Sequence, residues 1–216
     1  MSRELRQSVA DAARTLAEEG LLIGTAGNVS AYDGGVVAVT ATGVRLGECG
    51  PDDVTLVDLE GAVVDGRLKP TSELDLHLSI YRATGASGAV VHTHAPFATA
   101  VACVLDELPV LHYQQLLLGG AIRVAPYATF GTPELAAHTT AALEGRHAAL
   151  LANHGSVAVG DDLDSAVERA LLLEWLAQLH HRASALGTPR FLDEGQQTAV
   201  VEAALARHYG TTQENS

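Results

Sequence analysis

The spacing of apolar positions alternates along the chain between helical and extended periods. Over residues 3–19, Leu5, Val9, Ala12, Ala13 and Leu16 recur at three- and four-residue intervals and Gly20 follows, which predicts an amphipathic helix and its stop. The turn Leu22-Ile23-Gly24-Thr25-Ala26-Gly27-Asn28-Val29-Ser30 leads into β-prone pieces at 36–40, 54–58 and 62–64. Gly residues and Pro51-Asp52-Asp53 punctuate them at the spacing of an antiparallel meander. A second helix is expected to start near Lys69-Pro70-Thr71-Ser72-Glu73-Leu74-Asp75, capped by Thr71 or Ser72, with Leu74, Leu78 and Tyr81 as its apolar stripe and Gly85 at its end. An apolar strand then ends in imidazole at His92, Pro96 opens a helix over 97–104, a strand covers 121–126, and Thr132-Pro133-Glu134 starts a helix that ends near Gly145. A second apolar run ends at His154 and continues over 156–159, and helices over 163–186 and 193–208 follow. This order predicts one α/β domain over 1–210, a mostly antiparallel sheet flanked by helices, with a loose polar tail over 211–216.

Composition narrows the function. With 216 residues, 47% of them hydrophobic and 18% charged, the chain can bury one sizeable core. The formal net charge of −13 argues against a nucleic-acid partner, since 13 Lys and Arg face 26 Asp and Glu. An anionic substrate would have to be held by local donors rather than a positive field. No apolar run approaches the ~20 residues of a membrane span, and the first residues lack a signal-peptide stretch, so no membrane partner and a cytoplasmic location are expected. Cys49 and Cys103 are expected to be reduced core residues.

The candidate chemistry lies in three histidines. Residues i and i+2 of an extended chain share a face, so His92 and His94 can converge, and the end of another strand can bring His154 to meet them. Three neutral imidazoles with a fourth position open suit a catalytic zinc ion. Any one of them alone reads as an ordinary strand-end histidine. Glu73 is either an acidic residue favouring a helix N-terminus or a base beside the metal. The loops Gly24-Thr25-Ala26-Gly27-Asn28, Thr40-Ala41-Thr42-Gly43 and Thr71-Ser72 are singly just turns. As a set in an acidic protein they suggest phosphate donors that need no Lys or Arg. Tyr113 has a phenol that could move a proton, although a lone Tyr is more often packing or interface. His77, His138, His147, His180, His181 and His208 read as surface or structural.

These motifs resemble the zinc-dependent class II aldolase and adducin family, most closely its L-fuculose-1-phosphate aldolases. The match runs nearly end to end: residues 24–30, Thr42-Gly43, Pro70-Thr71-Ser72-Glu73, Val91-His92-Thr93-His94-Ala95, His112-Tyr113, residues 125–132 and His154-Gly155. The resemblance implies a three-layer fold with one zinc ion per subunit held by His92, His94 and His154, and with Glu73 as acid/base and further ligand. It implies that Thr25, Gly27, Asn28, Thr42, Gly43, Thr71 and Ser72 hold the phosphate. It also implies that Tyr113 reaches a neighbouring subunit's site in a homotetramer, and that Tyr209 belongs to a catalytic C-terminal tail. The implied reaction is reversible cleavage of a ketose 1-phosphate, first of all L-fuculose 1-phosphate, to dihydroxyacetone phosphate and L-lactaldehyde. Thr71 and Thr93 are mild departures, and Gln114-Gln115-Leu116-Leu117-Leu118 is bulkier than expected, which would change the substrate if it faced the aldehyde.

Three alternatives stand beside this expectation. Sister aldolases for 5-deoxyribulose or methylthioribulose 1-phosphate would keep the same metal, base and phosphate loops. An L-ribulose-5-phosphate 4-epimerase or a methylthioribulose-phosphate dehydratase would use the same scaffold, although epimerases carry an acidic residue and a longer insertion in the segment that here reads His112-Tyr113 and runs directly to Ala125-Pro126-Tyr127. A non-catalytic adducin-like module would have lost the metal ligands that this chain keeps.

Overall fold

Strand β1 (Asn28–Asp33) sends Val29 and Ala31 to one side of its sheet and Asn28 and Ser30 to the other, and this two-residue alternation organises the whole molecule. The computed structural model describes residues 2–85 and 88–207. Its other strands are β2 (Val36–Thr40), β3 (Val54–Val57), β4 (Val63–Asp65), β5 (Ala89–Thr93), β6 (Glu107–Leu108), β7 (Ile122–Ala125), β8 (Ala148–Leu151) and β9 (Gly155–Gly160). They form one sheet in the order β4-β3-β2-β1-β5-β9-β8-β7-β6. Neighbours are antiparallel except β7 and β8, which are parallel. A parallel pair needs a crossover, and α4 (Pro133–Ala142) supplies it.

Two buried clusters follow from the alternation. Val29, Ala31, Val91, Leu150 and Ala158 pack with residues of α1 (Ser2–Glu18), α3 (Pro96–Ala102) and α5 (Leu163–Leu186). Val37, Val39, Val90, Leu151 and Val157 pack with α2 (Leu74–Thr84) and α4. Each fully buried Val or Leu contributes about 1.5–3 kcal/mol, so both faces of the central strands are committed to burial. The last helix, α6 (Glu194–Ala206), buries no residue fully and is capped by Asp193, whose carboxylate accepts from the Gln196 amide. No helix among the described residues is long and apolar enough to cross a membrane.

The expected meander and the long helix α5 are present. The departures are local. Helix α2 starts at Leu74, and Glu73 stands at its N-cap position rather than in its first turn. Neither Thr71 nor Ser72 caps it; instead the Thr71 hydroxyl accepts from the Glu73 amide, closing a turn just before the helix. The run ending at His154 does not continue as one strand but folds back: Ala152-Asn153-His154 is the turn of the β8–β9 hairpin, with Asn153 left-handed at φ 55°. Leu108 and the 3₁₀ segment Tyr113–Leu118 were not legible as structure. Cys49 is buried as expected, but Cys103 ends α3 at the surface. His208, Tyr209 and the tail over 211–216 lie outside the described residues.

Candidate active site

The histidines are delivered by the sheet. Strand β5 lies between β1 and β9, with His92 opposite Asn28 on one side and opposite Val157 on the other. His92 and His94 share the face that packs toward α2, while Thr93 points away and its hydroxyl meets Ser156 Oγ at 2.9 Å. His92 Nδ1 donates to the Ser156 carbonyl at 2.9 Å, which leaves Nε2 as a bare lone pair. The β8–β9 turn brings in His154, its amide bonded to the Leu151 carbonyl and that of Ala152 to the Ala125 carbonyl. Gly155 is required here: a Cβ on it would stand 2.3 Å from the Thr93 carbonyl oxygen and 3.3 Å from the His92 ring.

The three ring centroids form a triangle with 4.9 Å sides, and the rings are tilted 69–89° to one another, edges inward. Their nitrogens lie within 4.8 Å of one another, and the cluster could hold a metal ion. Glu73 closes it, with Oε2 3.2 Å from His92 Nε2 and Oε1 3.4 Å from His154 Nε2. His92 Nε2 also lies 3.1 Å from His94 Nε2. A lone pair facing a carboxylate at this distance is repulsive unless a proton or cation lies between them. Burial and the neighbouring imidazoles push His94 down to about 4 and lower His154 as well, so protonation of these rings is disfavoured. Glu73 Oε1 is buried without a hydrogen-bond partner among the described residues. A divalent cation satisfies all four groups at once, and three imidazoles with a carboxylate are a donor set that suits zinc.

Burial alone would raise the Glu73 carboxyl, but positive charge in the histidine cluster, whether a proton or a cation, together with the Asn28 amide overcomes it and holds the group well below the usual carboxylate range. The carboxylate is therefore ionised at neutral pH. It forms part of the wall of a cavity of about 440 Å³, of a size that suits a small metabolite. All seven residues expected at a phosphate, Thr25, Gly27, Asn28, Thr42, Gly43, Thr71 and Ser72, line this cavity together with His94, His154, Tyr127, Ala128 and Phe130. Backbone bonds tie two of these loops together, Thr42 N to the Lys69 carbonyl at 3.0 Å and Thr71 N to the Thr40 carbonyl at 3.1 Å. Gly27, at φ +89°, passes so close to β5 that a Cβ would stand 2.9 Å from the His92 carbonyl oxygen.

Tyr113 does not join this cavity. It is 48% exposed, its ring beside His112, which in turn meets the half-exposed Trp175. None of Gln114–Leu118 lines the cavity either; Gln115 and Leu118 are buried, and Gln115 bonds the backbone of Leu108, Pro109 and Leu111. Tyr209 is outside the described residues.

Sequence reasoning missed three side chains. His77, expected at the surface or in a structural role, is fully buried, with Nε2 bonded to Asn28 Oδ1 and Nδ1 2.7 Å from Ser30 Oγ, which lies 2.8 Å from Tyr81 OH. Asn28 Nδ2 in turn donates to Glu73 Oε2 at 2.9 Å. The available signal was spacing, with Glu73, His77 and Tyr81 at four-residue intervals and Asn28 and Ser30 two apart.

Residues 7–181 match the class II aldolase and adducin N-terminal domain. The chain is 41% identical over 199 residues to the 5-methylthioribulose-1-phosphate/5-deoxyribulose-1-phosphate aldolase of Rhodospirillum rubrum, covering 92% of this chain and 90% of that protein. It is 38% identical over 196 residues to the 5-deoxy-D-ribulose 1-phosphate aldolase of Bacillus thuringiensis serovar kurstaki, covering 88% and 91%. A solved L-fuculose 1-phosphate aldolase superposes with a TM-score of 0.88 at 35% identity, covering 93% of this chain and 95% of that one.

Proposed function

The chain belongs to the class II aldolase and adducin family, and from that premise we propose that it is a zinc-dependent aldolase that reversibly cleaves a ketose 1-phosphate to dihydroxyacetone phosphate and a short aldehyde. The observation that carries this reading is Glu73, a buried carboxylate 3.2 and 3.4 Å from nitrogens of two of the three clustered imidazoles, in a cavity lined by small polar loops. His92, His94 and His154, with Glu73 as a further donor, would hold one zinc ion per subunit, which would supply Lewis-acid polarisation of the substrate carbonyl.

The chain's own groups then divide the work. Thr25, Gly27, Asn28, Thr42, Gly43, Thr71 and Ser72 hold the phosphate with hydroxyls and backbone amides. The Asn28 amide oxygen and one amide hydrogen are engaged by His77 and Glu73, so Asn28 has only its second amide hydrogen to offer the phosphate. In the condensing direction Glu73 takes a proton from the hydroxymethyl carbon of dihydroxyacetone phosphate, and in cleavage it returns the proton to that carbon. The proton of the hydroxyl on the far side of the broken bond goes to Tyr113 of a second copy or to a linked water, with Tyr209 proposed as a further catalytic residue. The exposed side chains of Tyr113, Leu117 and Trp175 support an assembly of copies, proposed as a homotetramer.

Among substrates, 5-deoxyribulose 1-phosphate and 5-methylthioribulose 1-phosphate stand ahead of L-fuculose 1-phosphate, which the motif resemblance had put first. The two relatives named for the former are 41% and 38% identical. The aromatic and apolar residues Tyr127, Ala128 and Phe130 of the cavity suit an aldehyde ending in a methyl or methylthio group. The test is release of dihydroxyacetone phosphate, through a coupled dehydrogenase, from these three compounds and L-rhamnulose 1-phosphate, before and after chelation and zinc return. Zinc-restored cleavage with the 5-deoxy or methylthio compound fastest is the expected result. Silence on all four with zinc bound would redirect the reading to epimerase or dehydratase chemistry, and absence of stoichiometric metal would point to a non-catalytic module.

A further inference from the structure

Helix α2 and strand β1 face each other with matched periods. Four helical residues rise about 6 Å, and two strand residues advance about 6.6 Å. Glu73, His77 and Tyr81 on the helix side therefore interleave with Asn28 and Ser30 on the strand as a ladder: Tyr81, Ser30, His77, Asn28, Glu73. All five side chains are buried, and the ladder ends on the carboxylate of the site.

The direction of every hydrogen bond in this ladder is determined from one end. Asn28 turns its NH₂ toward the Glu73 side chain, Nδ2 donating to Oε2 at 2.9 Å. Asn28 Oδ1 then faces His77, so His77 Nε2 must carry the hydrogen. Burial keeps this imidazole neutral, lowered to about 3, so Nδ1 is bare and Ser30 must donate to it. The Ser30 oxygen is left to accept from the Tyr81 hydroxyl. Rotating the Asn28 amide by half a turn would set oxygen against carboxylate and NH₂ against the N–H of His77, two mismatched pairs in a buried place. Such pairs are costly because neither group can turn to water.

We propose that His77 is a positioning residue for the reaction: as its Nε2–H tautomer, it locks the Asn28 amide so that Asn28 holds the Glu73 carboxylate at the angle from which it moves a proton. His77 touches neither the cavity nor the three clustered imidazoles, and nothing travels along the ladder; its donors are set in advance, so that Glu73 need not be oriented during each turnover. The inference about turnover rests on the aldolase reading, whereas the tautomer does not.

Two measurements on the zinc-loaded protein separate them. In ¹⁵N-histidine-labelled protein, the resonance pair lost in His77→Phe identifies His77, and the expected state is neutral with hydrogen on Nε2. A Nδ1–H tautomer or an imidazolium would overturn the proposal whether or not any sugar phosphate is cleaved. In the cleavage assay, His77→Phe is expected to lower kcat by about 10- to 100-fold with KM and zinc content held. His77→Gln, which keeps an amide donor toward Asn28, should recover most of that loss. Equal kcat in wild type and His77→Phe, a loss confined to KM, or loss of zinc in both variants would each sink the positioning role. If His77→Phe does not fold, Tyr81→Phe, which removes only the outermost donor, should give a smaller fall in kcat, and none at all would count against the ladder. Wild-type protein inactive on every substrate yet showing the expected tautomer would refute the aldolase reading alone.

Discussion

The two walls of the cavity are built to different standards. On one, Glu73 and Asn28 are buried at a helix N-terminus and on a strand and hydrogen-bonded to each other, with His92 buried behind them and held by the Ser156 carbonyl. On the other, Tyr127 and Phe130 stand in the loop after β7, 63% and 64% exposed, with no hydrogen bond between side chains to hold them. Tyr113 is further still, outside the cavity of its own chain. A proton transfer next to a carbonyl tolerates little misplacement, whereas a wall that only excludes water and fits an alkyl end can be loose and can vary between relatives. The difference teaches where to look for shared chemistry and where to look for specificity.

The sharpest break is expected on the rigid wall. Glu73→Gln keeps the shape of the side chain and removes the base, and turnover should fall by about 10²- to 10⁴-fold with metal content retained; an unchanged rate would remove Glu73 from the chemistry. Next comes Gly155→Ala, whose new methyl must displace the Thr93 carbonyl and presses on the His94 and His92 rings. It should weaken metal affinity by about 10- to 100-fold, read by competition with a chromogenic chelator, and wild-type affinity would mean that the hairpin yields without moving the histidines.

A smaller effect concerns pH. Burial lowers His77 from 6.5 to about 3, so between these values the unfolded chain binds a proton that the folded one refuses. The stability tied to its neutral state is whole above 6.5 and is lost as pH falls from there toward about 3, with a limiting slope of about 1.4 kcal/mol per pH unit. Urea unfolding of the metal-free protein at pH 7, 6 and 5 should therefore show a steeper loss than His77→Gln. Parallel curves would contradict a buried neutral His77. The mildest change is expected on the open wall. Phe130→Ala should leave metal and Glu73 chemistry intact and shift the ratio of kcat/KM between 5-deoxyribulose and methylthioribulose 1-phosphates by about tenfold or less. A proportional loss on both would place Phe130 outside specificity.

Much of this was legible before any coordinates. Helix α5 was read over 163–186 because an uninterrupted run between Asp162 and Gly187 leaves no other period available. The histidine cluster was legible because i and i+2 on a strand share a face, and because three imidazoles at apolar strand ends have few structural uses. The start of α2 was misread by a few residues, since Thr71, Ser72 and Glu73 are all acceptable near a helix N-terminus, and which of them caps it depends on the β2 loop bonded alongside. His77 was misread for a stronger reason. A histidine on an amphipathic helix looks the same whether its face meets water or a strand carrying Asn28 and Ser30, and that strand is more than forty residues away.

Sequence by itself determined most of the elements, the mostly antiparallel sheet and the identity of the groups that could hold a metal, because these depend on local periods and on side-chain chemistry. Tertiary structure alone decided which lone pairs face one another, that His154 arrives on a hairpin turn, and that Asn28 is spent on Glu73. Those are distances and directions between segments far apart in the chain, and only the pairing of β1 with β5 and the seating of α2 across it bring them within hydrogen-bond range.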